Sequence, residues 1–251
     1  MSNPLAVVLA AGKGTRMKSD LPKVLCQVCG RPMVHFVLDA LEAAGVQRQI
    51  VVIGYRGEDV RRELIGRQGV TFAEQTQQLG TGHAVMMCRP QLEQHQGPVV
   101  VLAGDSPLTQ TASLSAVLAE YDRLRPACVI GTLHKPDPSG LGRIVRDPQG
   151  NFVGIVEDKD ATPEQKLITE VNMSTYVFDC RELLHALDQL DNNNRQREYY
   201  LTDCPSILRR EGKAVLALPV LKACEALSIN TVDELKVVED EMRKLGYPCA
   251  N

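Results

Sequence analysis

The chain has 251 residues, 44% of them apolar, and a formal net charge of -3. That supplies a core for one large α/β domain and excludes wholesale disorder. With no basic excess, a nucleic-acid surface is not expected.

The first apolar run, Leu5 to Ala11, carries no charge and predicts a strand buried on both faces of a parallel sheet. At about seven residues it is too short to span a bilayer, and Met1 to Pro4 lacks the basic start of a secretory signal. A cytoplasmic protein with no membrane partner is therefore expected, its eight cysteines reduced.

The run breaks at Gly12-Lys13-Gly14-Thr15-Arg16. Glycines let the backbone turn sharply and bring its N–H groups against a ligand. Lys13, Arg16, Lys18 and Lys23 add positive charge, as a polyphosphate requires. The spacing is not that of a Walker A loop, which needs Gly-Lys-Ser/Thr at its end. Nor is it the dinucleotide fingerprint, because Met17 stands where the third glycine belongs. Cys26 and Cys29 have C-x-x-C spacing, but no second pair and no nearby histidine pair completes a zinc site. Buried or spare thiols are the expected reading.

Further on, Gln49 to Ile53, Val70 to Ala73, Val99 to Ala103 and Cys128 to Leu133 read as strands. Met33 to Ala44, Glu58 to Ile65, Gly82 to Cys88 and Ser113 to Leu124 read as helices, with apolar residues three or four apart. Such alternation predicts an α/β, doubly wound, mostly parallel Rossmann-like sheet, with ligands beyond the carboxyl ends of its strands. Past about residue 135, Arg143 to Val145 and Phe152 to Val156 flank a hairpin signal at Asp147 to Gly150. Glu170 to Phe178 and Ala214 to Leu218 read as strands; Leu183 to Leu190, Asp203 to Arg210 and Val232 to Leu245 read as helices. This half predicts a smaller mixed or antiparallel lobe over a second substrate, within one domain spanning residues 1–251.

Asp105 follows a buried run and Gly104. A carboxylate there either caps the following turn or reaches a metal at the strand end, and the phosphate loop favours the metal. The amides and glycines of Gln75 to Ala84 suit the edge of a nucleobase.

Leu9-Ala10-Ala11-Gly12-Lys13-Gly14-Thr15-Arg16-Met17, with Pro22-Lys23 behind it, resembles the signature of the sugar-1-phosphate pyrophosphorylases. The run Gln75 to Ala84 is similar to the uracil-binding loop of the bacterial N-acetylglucosamine-1-phosphate uridyltransferases. That resemblance implies transfer of UMP from UTP to N-acetylglucosamine 1-phosphate, with Mg²⁺ as cofactor. Leu9, Ala10, Ala11, Gly12, Gly14, Gln75, Gln78, Gly80 and Thr81 would bind the nucleotide, and Arg16 and Lys23 would be catalytic. Gly142, Glu157, Asn172 and Thr202 would bind the sugar, and Asp105 and Asn230 the metal. UTP and a sugar 1-phosphate are the implied partners, and the oligomeric state is left open.

Two departures fall on the sugar side. Ala103 stands where many relatives have tyrosine, and Met173-Ser174 replaces Thr-Gly. They leave open another sugar 1-phosphate, such as glucose 1-phosphate. A non-catalytic nucleotide-sugar sensor and a cytidylyltransferase are weaker alternatives. The hexapeptide repeats of the relatives' β-helix acetyltransferase are absent from these residues, so acetyl transfer and trimerisation through that β-helix are not implied.

Overall fold

The computed structural model describes residues 3–13, 20–229 and 231–249. Three site expectations, on Gly14, Arg16 and Asn230, lie outside the described residues. The strands are β1 (Leu5–Leu9), β2 (Gln27–Val28), β3 (Arg31–Pro32), β4 (Arg48–Ile53), β5 (Val70–Glu74), β6 (Pro98–Ala103), β7 (Cys128–His134), β8 (Gly142–Arg146), β9 (Phe152–Val156), β10 (Glu170–Asp179) and β11 (Val215–Leu218). The helices are α1 (Met33–Ala43), α2 (Gly57–Leu64), α3 (Thr81–Met86), α4 (Arg89–Leu92), α5 (Thr111–Leu124), α6 (Pro163–Lys166), α7 (Cys180–Asp188), α8 (Asp203–Arg210) and α9 (Val232–Lys244).

The main sheet runs β11-β7-β10-β6-β1-β4-β5. β1 pairs parallel with both β4 and β6, β4 with β5, and β11 with β7. Only β10 runs against its neighbours on this path, antiparallel to β6 and β7.

The uncharged β1 shows why the sheet is covered twice. Leu5 and Val7 enter the core on one face, Ala6 and Val8 that on the other. Val85 of α3, Leu183 of α7 and Leu208 of α8 close the first face. Val37 of α1, Val60 of α2 and Val117 of α5 close the second. Each such buried aliphatic side chain contributes about 1.5–3 kcal/mol, so the strand's lack of polar residues is what two-sided packing demands.

β1 ends at Leu9, two residues before its apolar run does. Gly104 N–H donates to the Leu9 carbonyl and Ala10 N–H to that of Val52, after which the chain leaves the sheet. The segment expected to extend the sheet with a smaller mixed or antiparallel lobe does so. β10 fills the gap between β6 and β7, and β11 takes the edge beyond β7, because the apolar runs of both need burial on two faces. The outlying lobe is the β8–β9 hairpin, hung from β10 through Val171 and Asn172. Arg146 of β8 ties it down, reaching Glu170 at 2.7 Å and the Ala217 carbonyl at 2.8 Å. Burial works against the Glu170 carboxylate, but the Arg146 and Thr132 hydrogen bonds hold its pKa below the ordinary value.

Helix α9 packs on the small β2–β3 ribbon. Val238 and Met242 sit with Val28, Phe36, Leu108 and Ile229, and Cys29 N–H donates to Glu239 Oε1 at 2.9 Å. Contrary to the expectation of eight reduced cysteines, Cys29 is disulfide-bonded to Cys249. The left-handed backbone of Cys29 at the ribbon turn (φ 49°) carries its sulfur toward the segment that follows α9. Cys26, its C-x-x-C companion, is buried and is not in a disulfide among the described residues.

Candidate active site

The carboxyl ends of β1 and β6 lie side by side, since Leu9 pairs with Ala103. Gly104 makes this possible: a Cβ there would come 3.1 Å from the Leu9 carbonyl oxygen. A cavity of about 380 Å³ opens at this edge. Every described residue expected to bind the nucleotide lines it: Leu9, Ala10, Ala11, Gly12, Gln75, Gln78, Gly80 and Thr81. So do Lys23 and Asp105.

Lys23 opens a short 3₁₀ turn, Lys23–Leu25, after Pro22, with Val24 and Leu25 buried beneath it. Its Nζ lies 2.6 Å from Oδ2 of Asp105, and the two side chains are only 16% and 29% exposed. Lys13 stands apart, its ammonium over the Tyr55 ring at 5.2 Å.

The loop from Gln75 to Gly80, at the cavity, is held from both sides. Gln75 is buried, and its Nε2 donates to the Gly80 carbonyl and to His83 Nδ1, each at 3.0 Å. Both amide protons are thereby used, so what Gln75 offers the cavity is its carbonyl oxygen. Gly80 takes φ +107°, and a Cβ there would lie 2.6 Å from the Tyr199 carbonyl oxygen. Tyr199 N–H donates to Leu79 and its carbonyl accepts from Gly82, both at 2.8 Å, which splices this loop to residues 198–201. Across the cavity, Gly54 lets Gln78 and Ala11 close up: a Cβ there would be 2.9 Å from Gln78 Nε2 and 2.8 Å from Ala11 Cβ.

The four expected sugar residues form two pairs beside the cavity rather than in its lining. Gly142 and Asn172 face each other across β8 and β10. Thr202 Oγ1 donates to Glu157 Oε1 at 3.0 Å. Burial raises the Glu157 pKa; the Thr202 hydrogen bond opposes this, and Asp160, Asp158 and Glu198 reinforce it.

Val24, Ala84, Ser174 and Glu198, none of them singled out as a binding residue from the sequence, also line the cavity. Ser174 was visible only as a departure from relatives. Glu198 had a signal in its own run, Glu198 to Asp203, which holds Thr202, one of the residues expected to bind the sugar.

A family model for the MobA-like NTP transferase domain matches residues 6–203. The chain belongs to the MobA-like NTP transferase domain family. This transferase domain is 47% identical to the bifunctional protein GlmU of Heliobacterium modesticaldum over 248 residues, 97% of this chain and 54% of that protein. It is 44% identical to the GlmU of Pelotomaculum thermopropionicum, over 95% of this chain and 52% of that protein. The chain thus spans about half the length of the curated relatives it matches. Among solved structures, a UDP-glucose pyrophosphorylase complexed with UDP-glucose superposes with a TM-score of 0.76 at 15% identity, covering 98% of this chain and all of that one. At that identity the likeness is one of fold, and it matches the doubly wound sheet read from the sequence. No helix among the described residues is long and apolar enough to cross a membrane.

Proposed function

We propose that the chain catalyses transfer of UMP from UTP to N-acetylglucosamine 1-phosphate, releasing pyrophosphate. The carrying observation is that the cation Lys23, the carboxylate Asp105 and every described nucleotide expectation meet around one cavity. The UDP-glucose complex of the solved neighbour supports a uridine nucleotide and sugar in this fold.

The chemistry asks little else of the protein. The nucleophile is a phosphate oxygen, already anionic near neutral pH, so no general base is needed. The barrier is bringing two anions together and accommodating charge on the α-phosphate and the departing pyrophosphate. Lys23 meets the α-phosphate and the incoming phosphate, Arg16 the leaving phosphates, and the Gly12 and Gly14 N–H groups the β-phosphate side. Gln75 accepts from uracil N3–H through its carbonyl oxygen; cytosine has an acceptor at N3 and loses that bond.

The donor set fits a hard cation. Among the described residues no group of three or more His, Cys, Asp or Glu could hold a metal ion, which disfavours a zinc-type cage. One carboxylate, Asp105, with the amide of Asn230, leaves the remaining positions to phosphate oxygens and water, as Mg²⁺ prefers. When bound, that cation supplies positive charge to the triphosphate. Asp105 orients it, and Lys23 answers the carboxylate's charge while the site is free of nucleotide.

Pyrophosphate release with Mg²⁺ and UTP tests the reading, with N-acetylglucosamine 1-phosphate, glucosamine 1-phosphate and glucose 1-phosphate as acceptors. Preference for UTP over CTP with the N-acetylated acceptor is expected. Tight UTP binding with no turnover on any acceptor would refute it.

A further inference from the structure

The turn between β4 and α2, Gly54 to Gly57, reaches the chain on either side of the glycine loop. Tyr55 N–H donates to the Ala11 carbonyl at 3.0 Å, and Gly57 N–H closes the turn on the Gly54 carbonyl at 2.9 Å. Gly54 has no room for a Cβ, which would lie 2.8 Å from that of Ala11. At Asp20, the next described residue after Lys13, the same turn makes contact again: Arg56 Nη1 donates to the Asp20 carbonyl at 2.8 Å. Arg56 does so from a left-handed backbone, φ +48°, with its Nε on Asp59 Oδ2 at 2.5 Å. Strain of that kind persists only where the surroundings over-determine it, and it gathers at functional sites.

Lys23 and Lys13 are held in different ways. Lys23 meets a carboxylate, so its charge is answered before any ligand arrives. Lys13 follows Gly12, which lines the cavity, and makes no ion pair among the described residues. Its ammonium lies over the half-buried Tyr55 ring, 5.2 Å from the centroid. A ring face attracts an ammonium through its quadrupole and carries no net charge. It therefore fixes the lysine and leaves its whole positive charge for an incoming anion. An exposed cation–π contact is weaker than a charge-assisted hydrogen bond to phosphate, so a phosphate draws the ammonium off the ring.

We propose that Tyr55 is a positioning residue for Lys13, and that Lys13 serves the outer phosphates of the nucleotide. In the transfer, the acceptor's phosphate oxygen bonds to the α-phosphorus, and the bond from that phosphorus to the α,β-bridging oxygen breaks. The bonding pair stays on the departing pyrophosphate, and no proton moves. Lys13 answers the charge that collects there, and it has nothing to meet on a nucleoside monophosphate. Tyr55 keeps the ammonium beside the cavity, while Arg56 holds the chain at Asp20. The inference rests on the uridylyl-transfer reading.

The test is calorimetric binding of UTP and UMP at one Mg²⁺ concentration, with steady-state kinetics, for Lys13→Ala, Tyr55→Leu, Tyr55→Phe and the variant combining Lys13→Ala with Tyr55→Leu. Lys13→Ala should weaken UTP about tenfold and leave UMP unchanged, so the preference for UTP over UMP falls by the same factor. Its kcat should fall as well, while KM for the sugar 1-phosphate holds. Tyr55→Leu should lower the preference about threefold, Tyr55→Phe should keep that of the parent, and the combined variant should be no worse than Lys13→Ala alone. A merely structural role would weaken UMP and UTP alike. That result, or an unchanged preference in Lys13→Ala or in Tyr55→Leu, would overturn the inference alone. So would a Tyr55→Leu effect undiminished in the absence of Lys13. A parent protein that binds UTP but turns over no sugar 1-phosphate would overturn the uridylyl-transfer reading, and this inference with it.

Discussion

Lys23 Nζ bridges to Asp105 Oδ2 at 2.6 Å, joining the 3₁₀ turn Lys23–Leu25 to the residues that follow β6. The pair holds a carboxylate and an ammonium ready at one point without leaving either charge uncompensated in a half-buried site. Lys23→Ala and Asp105→Ala should each lower kcat/KM by about 10²–10³, the scale of losing one preorganised charge contact. Both proteins should still melt cooperatively close to the parent. Turnover within a few-fold of the parent, measured by pyrophosphate release, would remove the pair from the proposed chemistry.

Gln75 should govern the choice of base. Gln75→Ala removes the acceptor and leaves the Gly80 carbonyl and His83 without their donor. KM for UTP is expected to rise about tenfold, and the UTP-to-CTP ratio to fall, each lost hydrogen bond being worth about 1 kcal/mol. Unchanged discrimination would place base reading elsewhere.

Gly80→Ala should injure fold and site together. The left-handed backbone costs an alanine about 1–2 kcal/mol, and its Cβ would meet the Tyr199 carbonyl oxygen at 2.6 Å. A lower Tm with weakened UTP binding by calorimetry is expected. Gly150→Ala, with positive φ but nothing within 4 Å of its Cβ, should lower Tm without touching UTP binding.

Asp203 gives a pH signature. Burial pushes its carboxyl up to about 6, with Asp191 and Glu157 reinforcing the rise. The unfolded chain releases this proton near about 4. Between those values the native state holds more protons, so the contribution of this group to stability falls as pH rises through the window. Asp203→Asn, which never ionises, should raise Tm at pH 8 and leave it nearly unchanged at pH 4. Equal gains at both pH values would exclude ionisation as the cause.

The Cys29–Cys249 bridge joins residues 220 positions apart. Titration of denatured, unreduced protein should find six reactive thiols, those of Cys26, Cys88, Cys128, Cys180, Cys204 and Cys224. Reduction, or Cys249→Ser, should cost about 2–5 kcal/mol. Eight reactive thiols before reduction would show that the bridge does not form in solution.

The meeting of Gly12 and Asp105 at one edge of the sheet was legible because glycines and strand ends constrain one another locally. Gly12 and Asp105 each follow an uncharged strand, and parallel pairing brings any two such ends together. Gln75 and Gly80 were legible as polar groups in a glycine-bearing loop, but the use of both Gln75 amide protons depends on His83, eight residues on. The place of β10 was not legible. Its alternation marks a strand, but no local feature says that it enters between β6 and β7 antiparallel to both. The bulge that β10 makes at Met173 and Ser174 was equally hidden, since a serine carries no signal for a left-handed backbone. The bridge from Cys29 was hidden for another reason: C-x-x-C spacing draws attention to Cys26, whereas the partner lies beyond α9.

The central position of β10 also bears on how this site can change. Loops accept extra residues, and proteins commonly acquire new recognition by lengthening them. Asn172 instead belongs to a strand, paired with β7 on one side and β8 on the other, and past the Met173–Ser174 bulge that strand runs between β7 and β6 from Tyr176 to Asp179. A further inserted residue would turn the remaining side chains to the opposite face and break the core with them. A change in what this wall recognises is thus channelled into exchanges of side chain at fixed length, the sheet fixing the spacing between the positions.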